Sequence, residues 1–226
     1  MKAGLTTRLT QACRWGGLIG LGIGYALLSH LAAASAVHSL PGALVAMAPM
    51  LVLAFLIAWR SDRRALMLGL WLAGCTVLYA IKGWLIAHYH WVFLLEHAGT
   101  YSLLCATFGQ TLQNGQTPMI SRFARIVHGS LSPALVRYTR SATWAWVLYF
   151  GGIAGLSLLL FWLAPIGIWS AFAYLLGIPL LVLMFAGEYA ARCCLLPPAD
   201  RAGPLEAIQA YRQASSEGKA RPRHTP

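Results

Sequence analysis

The sequence predicts an all-α membrane protein. The expected form is a polytopic bundle of six transmembrane helices, N-in and C-in, with an amphipathic-helix loop on the cytoplasmic side. Three observations lead there. The chain of 226 residues is 58% hydrophobic and only 10% charged. A soluble domain carries about a quarter charged residues, so this composition cannot cover a water-facing surface and belongs to the membrane class. Several apolar runs approach the roughly 20 residues that cross a bilayer. The basic residues, finally, gather in alternate connecting segments.

The runs, in order, are Trp15–Ala36, Pro41–Trp59, Ala65–Ile86, Trp91–Leu112, Thr143–Ala164 and Ile166–Gly187. No alternating strand pattern competes, and lipid admits only helices or closed barrels. The short links near His88–Trp91 and at Pro165 predict tight helical hairpins. Pro179, inside the last run, predicts a kink. One six-helix domain is expected over residues 1–196, with a cytoplasmic loop at 113–142. The tail 197–226 is rich in Pro, Ala, Arg and Ser and is expected to be mostly disordered, with a helical turn or two at Leu205–Gln213.

The first run has two readings. AAASA at 32–36 resembles a signal-peptidase site, and cleavage after Ala36 would leave five spans. Against this, the run exceeds the usual apolar region of a leader. Gly16, Gly20 and Gly24 also recur every fourth residue, a spacing that lets helices approach closely in lipid. A retained first helix is preferred.

Cytoplasmic loops of membrane proteins are enriched in Lys and Arg. With the N-terminus inside, every Lys and Arg except Lys82 falls on the inner side. The net charge of +11 is therefore a topology signal, and nucleic acid is not an expected partner. The location implied is a membrane with these segments on its cytoplasmic face. Cys13, Cys193 and Cys194 lie on the reducing side, and Cys75 and Cys105 lie within spans. None demands a disulfide or zinc. The juxtamembrane pair Cys193–Cys194 suits either lipidation or plain interfacial packing.

The loop reads SRFARIVHGSLSPALVRYTR over 121–140, with four arginines and no acid. Met119, Ile120, Phe123, Ile126 and Val127 recur on one helical face. Gly129 ends that helix, and Ser132–Pro133 starts a second short one. Two interfacial helices are predicted. Arg122, Arg125, His128, Arg137 and Arg140 are the candidate anion-binding set, for headgroups or for an acidic partner. The bland alternative is a loop that only fixes topology. Arg without Lys favours recognition, because the guanidinium offers a planar fork to phosphate or carboxylate.

An outer-side segment carries Lys82, Glu96, His97 and Tyr101, candidates for an intramembrane polar cluster. A Lys82–Glu96 pair is expected across the hairpin. His88, His90, Glu96 and His97 could be imagined around a metal, but HxH is a weak signature and no metal or other cofactor is expected. Glu188 and Arg192, at i and i+4, form a candidate structural clamp, with Glu188 also holding Arg137 or Arg140. No phosphate-binding loop, HExxH or GxSxG motif occurs.

Three segments together carry a resemblance: FGQTL, then TPMISRFARIVHGSLSPALVRYTRSATWAW, then FAGEYAARCCL. They resemble an uncharacterised family of bacterial inner-membrane proteins met beside genes for aryl polyene or xanthomonadin-type pigments. Some members are labelled ketosynthase. The resemblance covers about residues 90–195 and transfers no catalytic residue. A ketosynthase needs an activated Cys in an α/β fold, whereas Cys75 and Cys105 lie in membrane helices. Catalysis is therefore not the favoured role. The resemblance implies an accessory or scaffold protein of a polyketide or fatty-acyl envelope lipid pathway. Membrane lipids, an acidic acyl carrier protein or lipid-synthesis enzymes would be its partners. The alternatives are a small lipid or pigment transporter or flippase and, more weakly, a membrane-embedded transferase.

Overall fold

The computed structural model describes residues 2–35, 40–113, 115–197 and 200, with the side chains of residues 2–15, 18 and 128 not among those described. Every regular element among the described residues is helical. The order is α1 (Lys2–Ala34), α2 (Leu40–Arg60), α3 (Arg64–Ala80), α4 (Lys82–Gln110), α5 (Met119–His128), α6 (Pro133–Leu163) and α7 (Ile166–Leu195).

Three of these, α2, α6 and α7, are long and apolar enough to cross a membrane, and α3 with α4 adds a fourth if the bent pair is one span. In α1 the apolar stretch, Ile19–Ala34, is shorter. Large apolar side chains stand outward along these helices: Leu21, Leu148 and Leu163 are 73%, 69% and 77% exposed. Exposing this much to water would forfeit roughly 25 cal/mol per Å² of apolar area. Lipid removes that penalty, so the chain has the character of a membrane protein.

Several expectations are corrected. The hairpin expected near His88–Trp91 is instead a 100° bend between α3 and α4 around Ile81. His88 itself is non-helical (φ −126°, ψ 15°) but does not end α4. The second short interfacial helix is absent. Ser132–Pro133 does start a helix there, but it continues to Leu163. The link at Pro165 is short as expected, with α6 ending at Leu163 and α7 starting at Ile166. In α7 the irregularity is a π-helical segment, Ala171–Leu176, just before Pro179. Pro179 has no N–H for the carbonyl four residues back, and π-turns absorb such a mismatch. A Cβ added at Gly16, Gly20 or Gly24 would meet nothing within 4 Å, so these glycines do not mediate a close helix contact within the chain. Ala36, the side chains of Lys2, Arg8, Arg14 and Cys13, and the tail from Arg201, for which the sequence sets expectations, fall outside the described residues or side chains.

The chain divides into two compact units, a partition that hydropathy does not reveal. The first comprises residues 1–98 and 156–179, and the second residues 99–155 and 180–226. In the first, α1 packs on α2 and on the N-terminal part of α7, and α2 packs on α3. The α2–α3 turn is fixed by the Arg64 guanidinium, 3.3 Å from the centroid of the Trp59 ring. Trp71 Nε1 also donates to the Leu51 carbonyl at 3.1 Å. The core gathers Ala33, Ala43, Ala46, Tyr89, Phe93 and Trp169. Alanines opposite large aromatics let helices close in around the rings.

The second unit centres on aromatics of α4, α6 and α7. Phe108, Trp146, Phe150 and Phe185 contact one another with centroids 4.7–6.5 Å apart, mostly edge-on or tilted.

Candidate functional site

The site begins with the way α5 is held. The first amides of a helix have no partner inside it. Pro118, the residue before α5, supplies no side-chain cap. Hydroxyls from neighbouring helices take that role. The Met119 N–H donates to Thr111 Oγ1 (2.9 Å), and the Ile120 N–H donates to Thr143 Oγ1 (3.2 Å). Ser121 Oγ and Thr139 Oγ1 are 2.6 Å apart and both buried. At the other end Gly129 takes φ +70°, open to glycine, and its N–H closes on the Arg125 carbonyl at 2.9 Å. Helix α5 thus starts and stops where the sequence placed it.

Beneath α5 lies a cavity of about 410 Å³. Its lining is almost wholly apolar: Ile120, Phe123 and Val127 of α5 face Leu104 and Phe108 of α4, Trp146 and Phe150 of α6, and Leu181 and Phe185 of α7. The polar lining groups are few. Tyr138 Oη donates to Glu188 Oε1 at 2.9 Å, and Arg192 Nη2 reaches the same carboxylate at 2.8 and 3.1 Å. Asp200 also lines the cavity, and its Oδ2 accepts from Ser132 Oγ at 2.7 Å. That serine caps α6 through the Leu135 N–H, with Pro133 in the first turn where its missing donor costs nothing.

The loop arginines divide into two pairs. Arg122 donates Nε to the Thr117 carbonyl (2.9 Å) and Nη2 to Gln116 Oε1 (3.3 Å), while Arg140 Nη2 donates to the Leu112 carbonyl (3.1 Å). Both hold the connection between α4 and α5. The guanidinium groups of Arg125 and Arg137 are exposed, without a hydrogen bond or ion pair among the described residues. The His128 side chain lies outside the described ones. The Glu188–Arg192 clamp forms as expected, but the third member is Tyr138, and neither Arg137 nor Arg140 joins it.

The outer polar cluster does not assemble as expected. Lys82 Nζ sits over the Tyr79 ring at 4.2 Å, away from Glu96. Glu96 approaches the Tyr25 hydroxyl without closing a hydrogen bond, with Tyr174 in electrostatic range. His97 Nδ1 is 3.0 Å from Ser157 Oγ, which also accepts from Trp169 Nε1 at 3.0 Å. Tyr101, one turn further along α4, belongs to the second unit and meets Tyr149 and Phe150 edge-on or tilted. His30, which no sequence pattern marks, has its Nδ1 2.9 Å from Ser170 Oγ. His88 bonds the Trp84 carbonyl and His90 the Ala33 carbonyl. Among the described residues no three His, Cys, Asp or Glu side chains converge as a metal site would require.

The apolar face of α5 was legible as a helical stripe. The cavity under it was not, because no local pattern tells which of four helices supplies each wall. Tyr138 and the capping threonines carried no signal, since hydroxyls are common in membrane helices. Comparison with known proteins finds no protein-family model, no curated protein and no solved structure that matches this chain.

Proposed function

We propose that the chain is a six-span protein of a bacterial inner membrane with both termini in the cytoplasm. On this reading it is an accessory or scaffold protein of a polyketide or fatty-acyl, aryl polyene-like envelope lipid pathway, presenting a basic surface to anionic headgroups or an acidic acyl carrier. The orientation rests on the placement of Lys and Arg. The pathway rests on the resemblance of residues 90–195.

One observation carries the docking role: Arg125 and Arg137 stand exposed and uncommitted beside a helix fixed by its own hydroxyl contacts. Arg122 and Arg140 have structural work, which accounts for them without a ligand. Two guanidinium groups without a partner among the described residues, one on α5 and one on the first turns of α6, suit a phosphate or carboxylate brought from the cytosol.

The test is a mass-spectrometric comparison of lipid and pigment extracts from wild type, a deletion strain, and the deletion complemented with the Arg125→Ala, Arg137→Ala double variant. Membrane levels of the variant are checked by immunoblot. The expected result is a defined acyl or polyene species that is missing in the deletion and not restored by the variant. Matching extracts from all three strains would sink the pathway reading.

A second reading, transport of the lipid product, is favoured by one specific feature. Glu96 is an acid in a largely apolar helix, facing Tyr25 and Tyr174, and such residues often line transport routes. Glu96→Gln would then leave finished product accumulating at the inner leaflet.

A further inference from the structure

We propose that the cavity beneath α5 is a binding site for the tail of an uncharged, hydroxyl-headed single-chain amphiphile, such as a monoacylglycerol or a long-chain alcohol. The cavity's volume, about 410 Å³, falls in the range of small-molecule sites. Its walls at Phe108, Phe123, Val127, Trp146, Phe150 and Phe185 offer apolar surface and aromatic edges, with no array of donors for a sugar or a nucleotide. Water gains little there, because a buried water needs two to four polar partners. A hydrocarbon chain gains on the order of 0.8 kcal/mol per methylene buried from water.

The charges select the head. The ionic groups lining the cavity among the described residues are Glu188, Arg192 and Asp200, two acids against one base. Glu188 already neutralises Arg192 through two contacts of 2.8 and 3.1 Å. A carboxylate or phosphate head would add negative charge beside Asp200, which has no ionic partner among the described residues, in a largely apolar space, which is costly. A hydroxyl instead donates to a carboxylate oxygen and accepts from a neighbouring donor. The anion-attracting arginines, Arg125 and Arg137, do not line the cavity. The site is therefore chemically distinct from the basic outer surface, and it does not depend on the pathway assignment.

The experiment uses the full chain in detergent micelles. The probes are a diazirine-bearing monoacylglycerol and the fatty acid of the same chain. Crosslinked peptides are mapped by mass spectrometry. The monoacylglycerol is expected to label peptides carrying Phe108, Phe123, Trp146 or Phe185, and an excess of unlabelled monoacylglycerol should compete that label away. Fatty acid at neutral pH is expected to label them about tenfold less, a difference of about 1.4 kcal/mol. Ala124→Trp, which fills the cavity from α5, and the milder Leu181→Phe from α7 should both cut the label, with helix content by circular dichroism unchanged. Arg125→Ala should not.

Label spread over all lipid-facing helices and insensitive to both filling variants would overturn the site. Equal labelling by the fatty acid would overturn the choice of head. If the chain takes up the probe only after residues 201–226 are removed, the occupant is the chain's own tail and the proposal fails. Saturable labelling together with unchanged strain extracts would leave the cavity standing and reject the pathway, so the two failures are separable.

Discussion

The two compact units spend the same kinds of side chain on different tasks. In the first, Ser157 joins His97 to Trp169, Ser170 holds His30, and Tyr89 bonds the Ala32 carbonyl. Each of these bonds draws long helices together, and Trp169 and Phe93 end up fully buried. In the second, Thr111, Thr143 and the Ser121–Thr139 pair secure a helix of ten residues over a cavity of about 410 Å³. Polar contacts between helices can thus either close a core or hold one open. The outcome depends on whether the tethered element is long enough to fill the space itself.

Breaking the first unit should have the largest effect. Trp169→Ala removes a fully buried indole and leaves the Ser157 hydroxyl with His97 alone, and a loss of roughly 3–5 kcal/mol is expected. Thermal denaturation in micelles, followed by circular dichroism, measures it. A shift in Tm no larger than that of a surface variant would mean that the first unit is not held by this packing.

In the second unit the same test is gentler. Ser121→Ala alone leaves Thr139 bonded to the Leu135 carbonyl, but it loses the 2.6 Å contact that pins α5. About 1–2 kcal/mol is expected. The Ser121→Ala, Thr139→Val double variant should cost less than the sum of the singles, because the residues share one bond. A spin label at position 124 should report a looser α5 in both.

Gly129→Ala probes the far end of the same helix. Its φ of +70° disfavours a side chain, although nothing within 4 Å blocks a Cβ. A cost of about 1 kcal/mol from backbone strain alone is expected, read as a drop in Tm. The smallest effect on stability is expected from Arg125→Ala with Arg137→Ala, within about 0.5 kcal/mol. That variant should nevertheless weaken binding of a soluble anionic headgroup to the chain in neutral micelles by about 1 kcal/mol per residue, measured by calorimetry. A stability loss comparable to that of Ser121→Ala would assign these arginines a structural role instead.

The parts legible in the sequence were those set by neighbours in the chain. The apolar stripe from Met119 to Val127, the stop at Gly129 and the start at Ser132–Pro133 all follow from helical period, φ preference and a missing N–H. The i, i+4 spacing likewise sufficed for Glu188 and Arg192. What failed was long-range or continuous. The apolar run Ala65–Ile86 passes through Ile81, so hydropathy put the break at the polar residues near His88 and not at the 100° bend at Ile81. Nor does charge decide a partner by itself. Lys82 prefers the adjacent Tyr79 ring, whereas Glu96 lies over three helical turns further along α4. The apolar continuity of Thr143–Ala164 concealed that the same helix begins ten residues earlier, at Pro133. The candidate site was half legible for this reason: its arginines were visible, its cavity was not.

The threonine caps on α5 carry one more implication. A helix end with bare amides presents a fractional positive charge and is a ready seat for phosphate. At α5 the Met119 and Ile120 amides are already taken by Thr111 and Thr143. The dipole of this helix is discharged into its own protein and offers little to an incoming anion. Whatever negative group approaches this surface must be met by guanidinium groups on flexible stems, which can follow a moving headgroup and let it go.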